Sequence, residues 1–99
     1  MRLTPHQVAV IRREVAALVH AQAEVRLFGS RVQDGLRGGD IDLWVSSPVA
    51  VPNRVLLAAQ LVARLQMTLG DQRIDVRLVD PATEPASIDA VACREGVLL

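Results

Sequence analysis

The chain has 99 residues, of which 51% are hydrophobic, 22% charged and 2% aromatic, and its basic and acidic residues balance to a formal net charge of zero. This length fits a single domain over residues 1–99 with a modest core. Neither the neutral charge nor the scarcity of aromatic rings favours direct nucleic-acid binding, which draws on a basic surface and on base-stacking side chains.

The lone cysteine and the hydropathy pattern indicate a cytoplasmic protein. Because Cys93 is the single cysteine, no disulfide can form within the chain, which fits a reducing compartment. We expect Cys93 to be a small buried apolar residue rather than a nucleophile, since no base lies near it in the sequence. No apolar run is long enough to cross a bilayer, so we expect no membrane association.

The N-terminal segment predicts a capped helix over residues 5–21. Thr4 can serve as the N-cap, Pro5 suits the first helical position, and Gln7 can complete a capping box. Apolar residues then recur at helical spacing, at Val8, Ile11, Val15, Leu18 and Val19. We expect this helix to cover the apolar face of a sheet.

Three short segments alternate apolar and polar residues and predict strands, at residues 25–28, 40–45 and 73–79. Because side chains alternate between the two faces of a strand, Asp40 and Asp42 share one face, and Asp75 lies on the polar face of the third strand. If the strands share a sheet, the three carboxylates can meet on its open side. The expected fold is α+β, a two-layer arrangement of a small mixed β-sheet with helices packed on one face.

The paired carboxylates are the strongest sign of a functional site. Asp40 and Asp42 would repel each other by ~1 kcal/mol in bulk water and by up to ~4 kcal/mol at an intermediate dielectric. Such a pair adds nothing to stability, whereas a divalent cation binds carboxylate oxygens together with substrate phosphates. The pair therefore predicts a metal site, with magnesium as the first choice.

The connection between the first two strands indicates a phosphate site. Gly29 permits a sharp turn, and Ser30 can begin a short helix whose free N–H groups suit a phosphate. A simple turn with a helix cap would explain these two residues alone, but the nearby Asp40 and Asp42 favour phosphate binding. Residues 34–39 are turn-prone, and no Gly-Lys-Ser/Thr of a Walker loop follows them.

The second half of the chain predicts two further helices. Asn53 can cap a helix that ends at Gly70, and its broad apolar surface indicates the main core helix, with Met67 filling a gap. A last helix is expected near residues 86–94. The apolar tail at 97–99 needs cover from its own sheet or from a partner, which leaves homo- and hetero-oligomers open.

A known family shares this combination of motifs. Gly29-Ser30-Arg31, then Asp40-Ile41-Asp42-Leu43, then the later Asp75 resemble the polymerase-β-type nucleotidyltransferase superfamily. The small size is similar to that of the minimal nucleotidyltransferases, which are commonly antitoxins paired with HEPN-domain ribonuclease toxins. The likeness covers residues 4–96.

The resemblance implies an ATP- and Mg2+-dependent transfer of AMP to a hydroxyl of a partner protein, a HEPN-type toxin. The residues implied as catalytic, and as ligands of two Mg2+ or Mn2+ ions, are Asp40, Asp42 and Asp75. The residues implied in binding the nucleotide phosphates are Gly29, Ser30 and Arg31. The chain contains no tyrosine, so a tyrosine acceptor would have to lie on another protein.

Three further side chains have more than one interpretation each. Arg73 and Arg77 flank Asp75 and could either neutralise phosphate charge or offset the repulsion between carboxylates. Trp44 shares the face of Asp42 and could stack on a base or contact a partner, although a packed surface tryptophan is the simpler expectation.

Two functions remain open at the level of sequence, an adenylyltransferase and a contact-only subunit that blocks or regulates its partner. The intact set of aspartates favours the enzyme. The contact-only function is favoured by the connection of nine residues between Ser30 and Asp40, one residue shorter than is usual in the family. In addition, Gln33 stands where the family often has a basic residue.

Overall fold

The computed structural model of the protein describes residues 3–29, 40–70 and 72–99. Within these ranges three helices and four strands follow one another, in the order α1 (Pro5–Leu18), β1 (Glu24–Phe28), β2 (Ile41–Ser46), α2 (Arg54–Leu69), β3 (Ile74–Val79), α3 (Ser87–Glu95) and β4 (Val97–Leu98). The short helix predicted after Ser30 lies outside the described residues.

The four strands form one mixed sheet in the order β3-β2-β1-β4. β1 pairs antiparallel with both β2 and β4, whereas β2 and β3 are parallel neighbours joined through α2. This arrangement confirms the predicted α+β fold with a small mixed sheet. It also answers the question of the apolar tail, which forms β4 against β1, with the Leu99 N–H donating to the Val25 carbonyl at 2.9 Å.

The main core lies between one face of the sheet and the helices α1 and α2. The predicted capping box at the start of α1 is present, with Thr4 and Gln7 bonded to each other's backbone N–H groups. Fully buried side chains come from both helices and from the strands, among them Ile11, Leu27, Leu43, Leu61 and Leu65. Burial of each such side chain contributes about 1.5–3 kcal/mol to stability.

A second, smaller cluster lies on the other face of the sheet. It contains Trp44, Val79 and Ala92, with Phe28 packed against it. Ala92 belongs to α3, so the last helix covers part of the polar face rather than joining α1 and α2. The acidic residues lie nearer the beginning of β2 and β3 on this same face, beyond the part that α3 covers.

Two predictions of burial are wrong. Met67 is 84% exposed, so it fills no gap in the core. α2 carries apolar residues around much of its circumference, and of these only Leu61 and Leu65 are fully buried. Cys93 is exposed as well, because α3 buries Ala92 instead.

No helix in the described part of the chain combines the length and apolar character that a membrane span needs.

Candidate active site

The acidic residues converge at one end of the sheet. Asp42 and Asp75 are directly paired across the parallel ladder of β2 and β3, and Asp40 immediately precedes β2. The side chains of Asp40 and Asp75 are 45% and 55% exposed. Their neighbours Ile41 and Ile74 are buried in the main core, as strand alternation requires. The carboxylates therefore share an accessible surface.

Burial and the neighbouring carboxylates make ionisation of Asp42 less favourable. Burial raises the pKa of Asp42 above its ordinary value, the negative charges of Asp75 and Asp40 raise the pKa further, and Arg73 lowers it. An ionised Asp42 is thus less favourable here than in water, and a bound cation would relieve the repulsion. Three carboxylates with excess negative charge suit a hard divalent ion in their chemistry.

The Arg73 guanidinium lies between two of these carboxylates. Its Nε is 3.7 Å from Asp40 Oδ2 and 3.6 Å from Asp75 Oδ2. This geometry supports the interpretation in which Arg73 offsets carboxylate repulsion. Across residues 3–29, 40–70 and 72–99, no three His, Cys, Asp or Glu side chains form a ready-made metal-ligand group. Asp40 and Asp75 could hold a metal ion together only if the Arg73 guanidinium moved away from them.

We expect Arg73→Ala to tighten Mg2+ binding. Removal of a positive charge beside the carboxylates strengthens their attraction for an ion by about 1 kcal/mol, which corresponds to roughly fivefold in affinity. Isothermal titration with MgCl2 measures the change. Arg12→Ala, an exposed arginine on α1, is the control and should leave the affinity unchanged. Weaker binding in Arg73→Ala would show that the guanidinium supports the ion instead of competing with it.

Gly29 brings the end of β1 against the acidic cluster. Its φ of +80° is left-handed, and a Cβ added at this position would collide with Asp42 Oδ2. The chain can therefore turn tightly beside Asp42 only because residue 29 has no side chain. The predicted phosphate-binding partners Ser30 and Arg31 lie outside the described residues.

Gly29→Ala is expected to lower the free energy of unfolding by about 2–3 kcal/mol, because the backbone strain adds to the collision with Asp42. Gly70→Ala is the matched control, since Gly70 has a similar φ of +89° but open space around the added Cβ. Its cost should be about 1 kcal/mol, from strain alone. Urea unfolding measures both variants. In an Asp42→Ala background the excess cost of Gly29→Ala should disappear, and its persistence would refute the contact.

Arg77 and Trp44 lie on the same face of the sheet as the aspartates, but their side chains bind Asp89 of α3. The Arg77 guanidinium donates from Nε and Nη2 to the two carboxylate oxygens of Asp89, both at 3.1 Å. Trp44 is 6% exposed, and its Nε1 donates to Asp89 Oδ1 at 3.0 Å. Arg77 is thus paired with Asp89 rather than with Asp75, and the buried Trp44 ring has no open face for a base. Trp44 is packed as expected, but it is buried rather than at the surface.

Sequence reasoning missed Asp89 as the residue that holds these groups. Asp89 also accepts a 2.9 Å hydrogen bond from the Ala86 N–H, so one carboxylate caps α3 and anchors it to β2 and β3. The signal in the sequence is an acidic residue in the first turn of a predicted helix. Such a residue indicates a cap but does not reveal partners on distant strands.

The mixed sheet, the glycine turn and the acidic end of β2 and β3 together define a nucleotidyltransferase-like fold, and solved structures agree. A chain from a tyrosine-to-alanine mutant of the toxin–antitoxin complex MntA–HpeT matches with a TM-score of 0.66 at 21% identity, over 98% of this chain and 71% of that chain. A chain from a double aspartate-to-glutamate mutant of MntA–HpeT matches with a TM-score of 0.67 at 20% identity, over 97% and 71%.

A third match is the re-refined structure of tri-AMPylated Shewanella oneidensis HEPN toxin in complex with MNT antitoxin, with a TM-score of 0.56 at 21% identity, over 93% of this chain and 70% of that chain. At these identities the likeness establishes the fold. For the fold, this likeness confirms the resemblance to minimal nucleotidyltransferases that the motifs predicted. No protein-family model and no curated protein matches the sequence.

Proposed function

We propose that the protein is a nucleotidyltransferase that transfers AMP from ATP to a hydroxyl of a HEPN-type toxin and so acts as its antitoxin. The observation that carries this proposal is the convergence of Asp40, Asp42 and Asp75 on one accessible end of the sheet, beside the Gly29 turn. Three mutually repelling carboxylates do not stabilise a fold. Transfer from a triphosphate, in contrast, uses carboxylates to hold the metal ions.

In the proposed reaction, the acceptor oxygen forms a bond to the α-phosphorus of ATP. The bond from that phosphorus to the oxygen bridging to the β-phosphate breaks, and pyrophosphate leaves. Asp75, the more exposed partner in the Asp42–Asp75 pair, takes the proton of the acceptor hydroxyl. Asp40 and Asp42 would hold divalent ions, which when bound neutralise the triphosphate and stabilise the leaving group.

The choice of partner and modification rests on the structural neighbours. They are toxin–antitoxin complexes, and one of them contains a tri-AMPylated HEPN toxin together with an MNT antitoxin. This chain covers about seven-tenths of each neighbouring chain and contains no tyrosine of its own. A tyrosine acceptor would therefore belong to the partner.

The test combines the protein, a HEPN-type partner, MgCl2 and ATP labelled at the α-phosphate. We expect the label to appear on the partner and to be absent when ATP labelled at the γ-phosphate is used, because pyrophosphate is the leaving group. Intact mass measurement of the partner should show added AMP. If no label is transferred with Mg2+ or Mn2+, although the two proteins form a complex, the enzymatic proposal fails.

A contact-only antitoxin is the second candidate, and Arg73 favours it. Its guanidinium lies close to both Asp40 and Asp75, so the charge of these carboxylates is neutralised in part without any metal. A contact-only antitoxin would inhibit the ribonuclease activity of its partner at stoichiometric ratios without ATP. An AMP transferase would inhibit at substoichiometric ratios and only with ATP.

A further inference from the structure

β3 is the longer of the two edge strands. Every second residue of β3 directs its backbone N–H and C=O groups away from the sheet. The carbonyls of Arg73 and Val79 accept hydrogen bonds from backbone N–H groups at the start of β2 and immediately after its end. Since backbone groups alternate in direction along a strand, those of Ile74, Val76 and Leu78 point outward. In the ranges that the structure describes, no strand pairs with this edge.

A groove of about 350 Å³ runs between this edge and α2. The helix lines it with apolar side chains one turn apart, at Val55, Ala58, Ala59 and Val62. Val55 is 80% exposed, and Val76 in the middle of β3 is only half-buried. Outward backbone groups beside an apolar wall are the two features that bind an added β-strand in peptide recognition.

The groove is continuous with the candidate active site. Asp75 lines it at the end where the aspartates converge. At the other end, Arg54 donates from Nη1 to the outward carbonyl of Leu78 at 3.3 Å. This carbonyl is therefore not free to pair with an added strand. The usable edge therefore begins beside Asp75 and spans about 10 Å, three residues of an extended chain.

We propose that this edge binds an extended segment of the acceptor protein, which pairs with β3 and places its hydroxyl side chain beside Asp75. This docking mode rests on the proposed transfer of AMP to a partner. In the added strand, residues alternate between the face of Asp75 and the face of α2. The acceptor hydroxyl therefore has an apolar residue on each side, and these two residues pack against Ala59 and Val62.

Amide hydrogen exchange of the protein alone and in complex with an intact HEPN-type partner, without ATP, tests the pairing directly. The outward amides of Ile74 and Val76 should exchange at least ~10-fold more slowly in the complex. The amides of Asp75 and Arg77 point toward β2, are protected already and should change little. A complex verified by gel filtration in which Ile74 and Val76 keep their free exchange rates would overturn the docking mode.

Ala59→Glu tests the apolar wall by placing a carboxylate in the groove. We expect the dissociation constant of the complex to rise at least ~10-fold. Ala63→Glu is the matched control on the same helix, because Ala63 lines a separate groove with Leu18 and Met67. Its effect should stay within about twofold. Equal effects of the two substitutions would overturn the proposal.

The two proposals fail separately. Protection of the β3 edge without transfer of label would uphold the docking mode and overturn the enzymatic function. Transfer of label at the normal rate by Ala59→Glu, with an unprotected edge, would overturn the docking mode and uphold the function. If no complex forms with HEPN-type partners at all, both are wrong.

Discussion

Asp42→Asn is expected to lower AMP transfer by at least ~10³-fold, a loss of about 4 kcal/mol of transition-state stabilisation. Asp42 is paired directly with Asp75 and lies two residues after Asp40 on the same strand face, and the charges of both raise its pKa. An amide in its place keeps the shape but removes a metal-binding oxygen and one negative charge. Initial rates of label transfer from ATP to the partner, at saturating MgCl2, measure the effect.

The same substitution should leave the fold intact and, without metal, slightly stabilise it. The folded pKa of Asp42 lies above its ordinary value of 3.8, so ionisation is less favourable in the folded than in the unfolded chain. Stability therefore falls as pH rises from 3.8 through the folded pKa, and at neutral pH the ionised group is a net cost. Asn cannot ionise, so thermal unfolding of Asp42→Asn at pH 7 should occur at an equal or higher temperature.

Addition of MgCl2 should reverse this order. An ion that binds only the folded state stabilises wild type in proportion to the logarithm of its concentration, and Asp42→Asn should respond much less. Asp34, a residue of the connection, supplies a control in Asp34→Asn, which should behave as wild type in both assays. If Asp42→Asn transfers AMP at the wild-type rate, Asp42 is not part of the active site. If the variant melts at a lower temperature than wild type without metal, the Asp42 carboxylate supports the fold.

The sheet and its acidic end could be predicted because short strands of alternating polarity admit few arrangements. One apolar face per strand requires one buried face of the sheet, and a shift by one residue would bury the aspartates. Alternation therefore fixed which way Asp42 and Asp75 point. The pairing of β2 with β3 did not follow from alternation. It depends on α2, which joins two parallel neighbours and brings the two aspartates side by side.

Patterns within one segment could not identify contacts between distant segments. Asp89 lies 45 residues from Trp44 and 12 from Arg77 in sequence, so nothing local indicates that it binds both. The apolar content of α2 likewise led to an expected burial that was too large. The spacing of apolar residues shows which side of a helix can be buried, but it does not show how much of the helix the sheet can cover. The exposure of Met67 is the result. The roles of Ser30 and Arg31 stay predictions, since they lie beyond the described part of the chain.

Asp89→Ala is expected to cause the largest loss of stability, about 3 kcal/mol, or a fall in melting temperature of roughly 12 °C. The Asp89 carboxylate accepts two hydrogen bonds from Arg77, one from Trp44 and one from the Ala86 N–H. Its loss leaves a guanidinium and a buried indole N–H without their acceptor, and it removes the cap of α3. Glu95→Gln, at an exposed pair with Arg94, is the control and should change stability by less than ~0.5 kcal/mol.

The pH dependence of the Asp89→Asn variant separates the charge from the hydrogen bonds. The Arg77 guanidinium, followed by the Ala86 and Trp44 N–H groups, holds the pKa of Asp89 well below its ordinary value of 3.8. A carboxyl with a depressed folded pKa stabilises the fold fully above the unfolded value, and this contribution is lost as pH falls toward the folded one. The stability gap between wild type and Asp89→Asn should therefore be constant from pH 7 to about pH 5 and shrink below about pH 4. A gap that stays constant down to pH 2 would mean that Asp89 anchors α3 through its shape and hydrogen bonds, with no contribution from its charge.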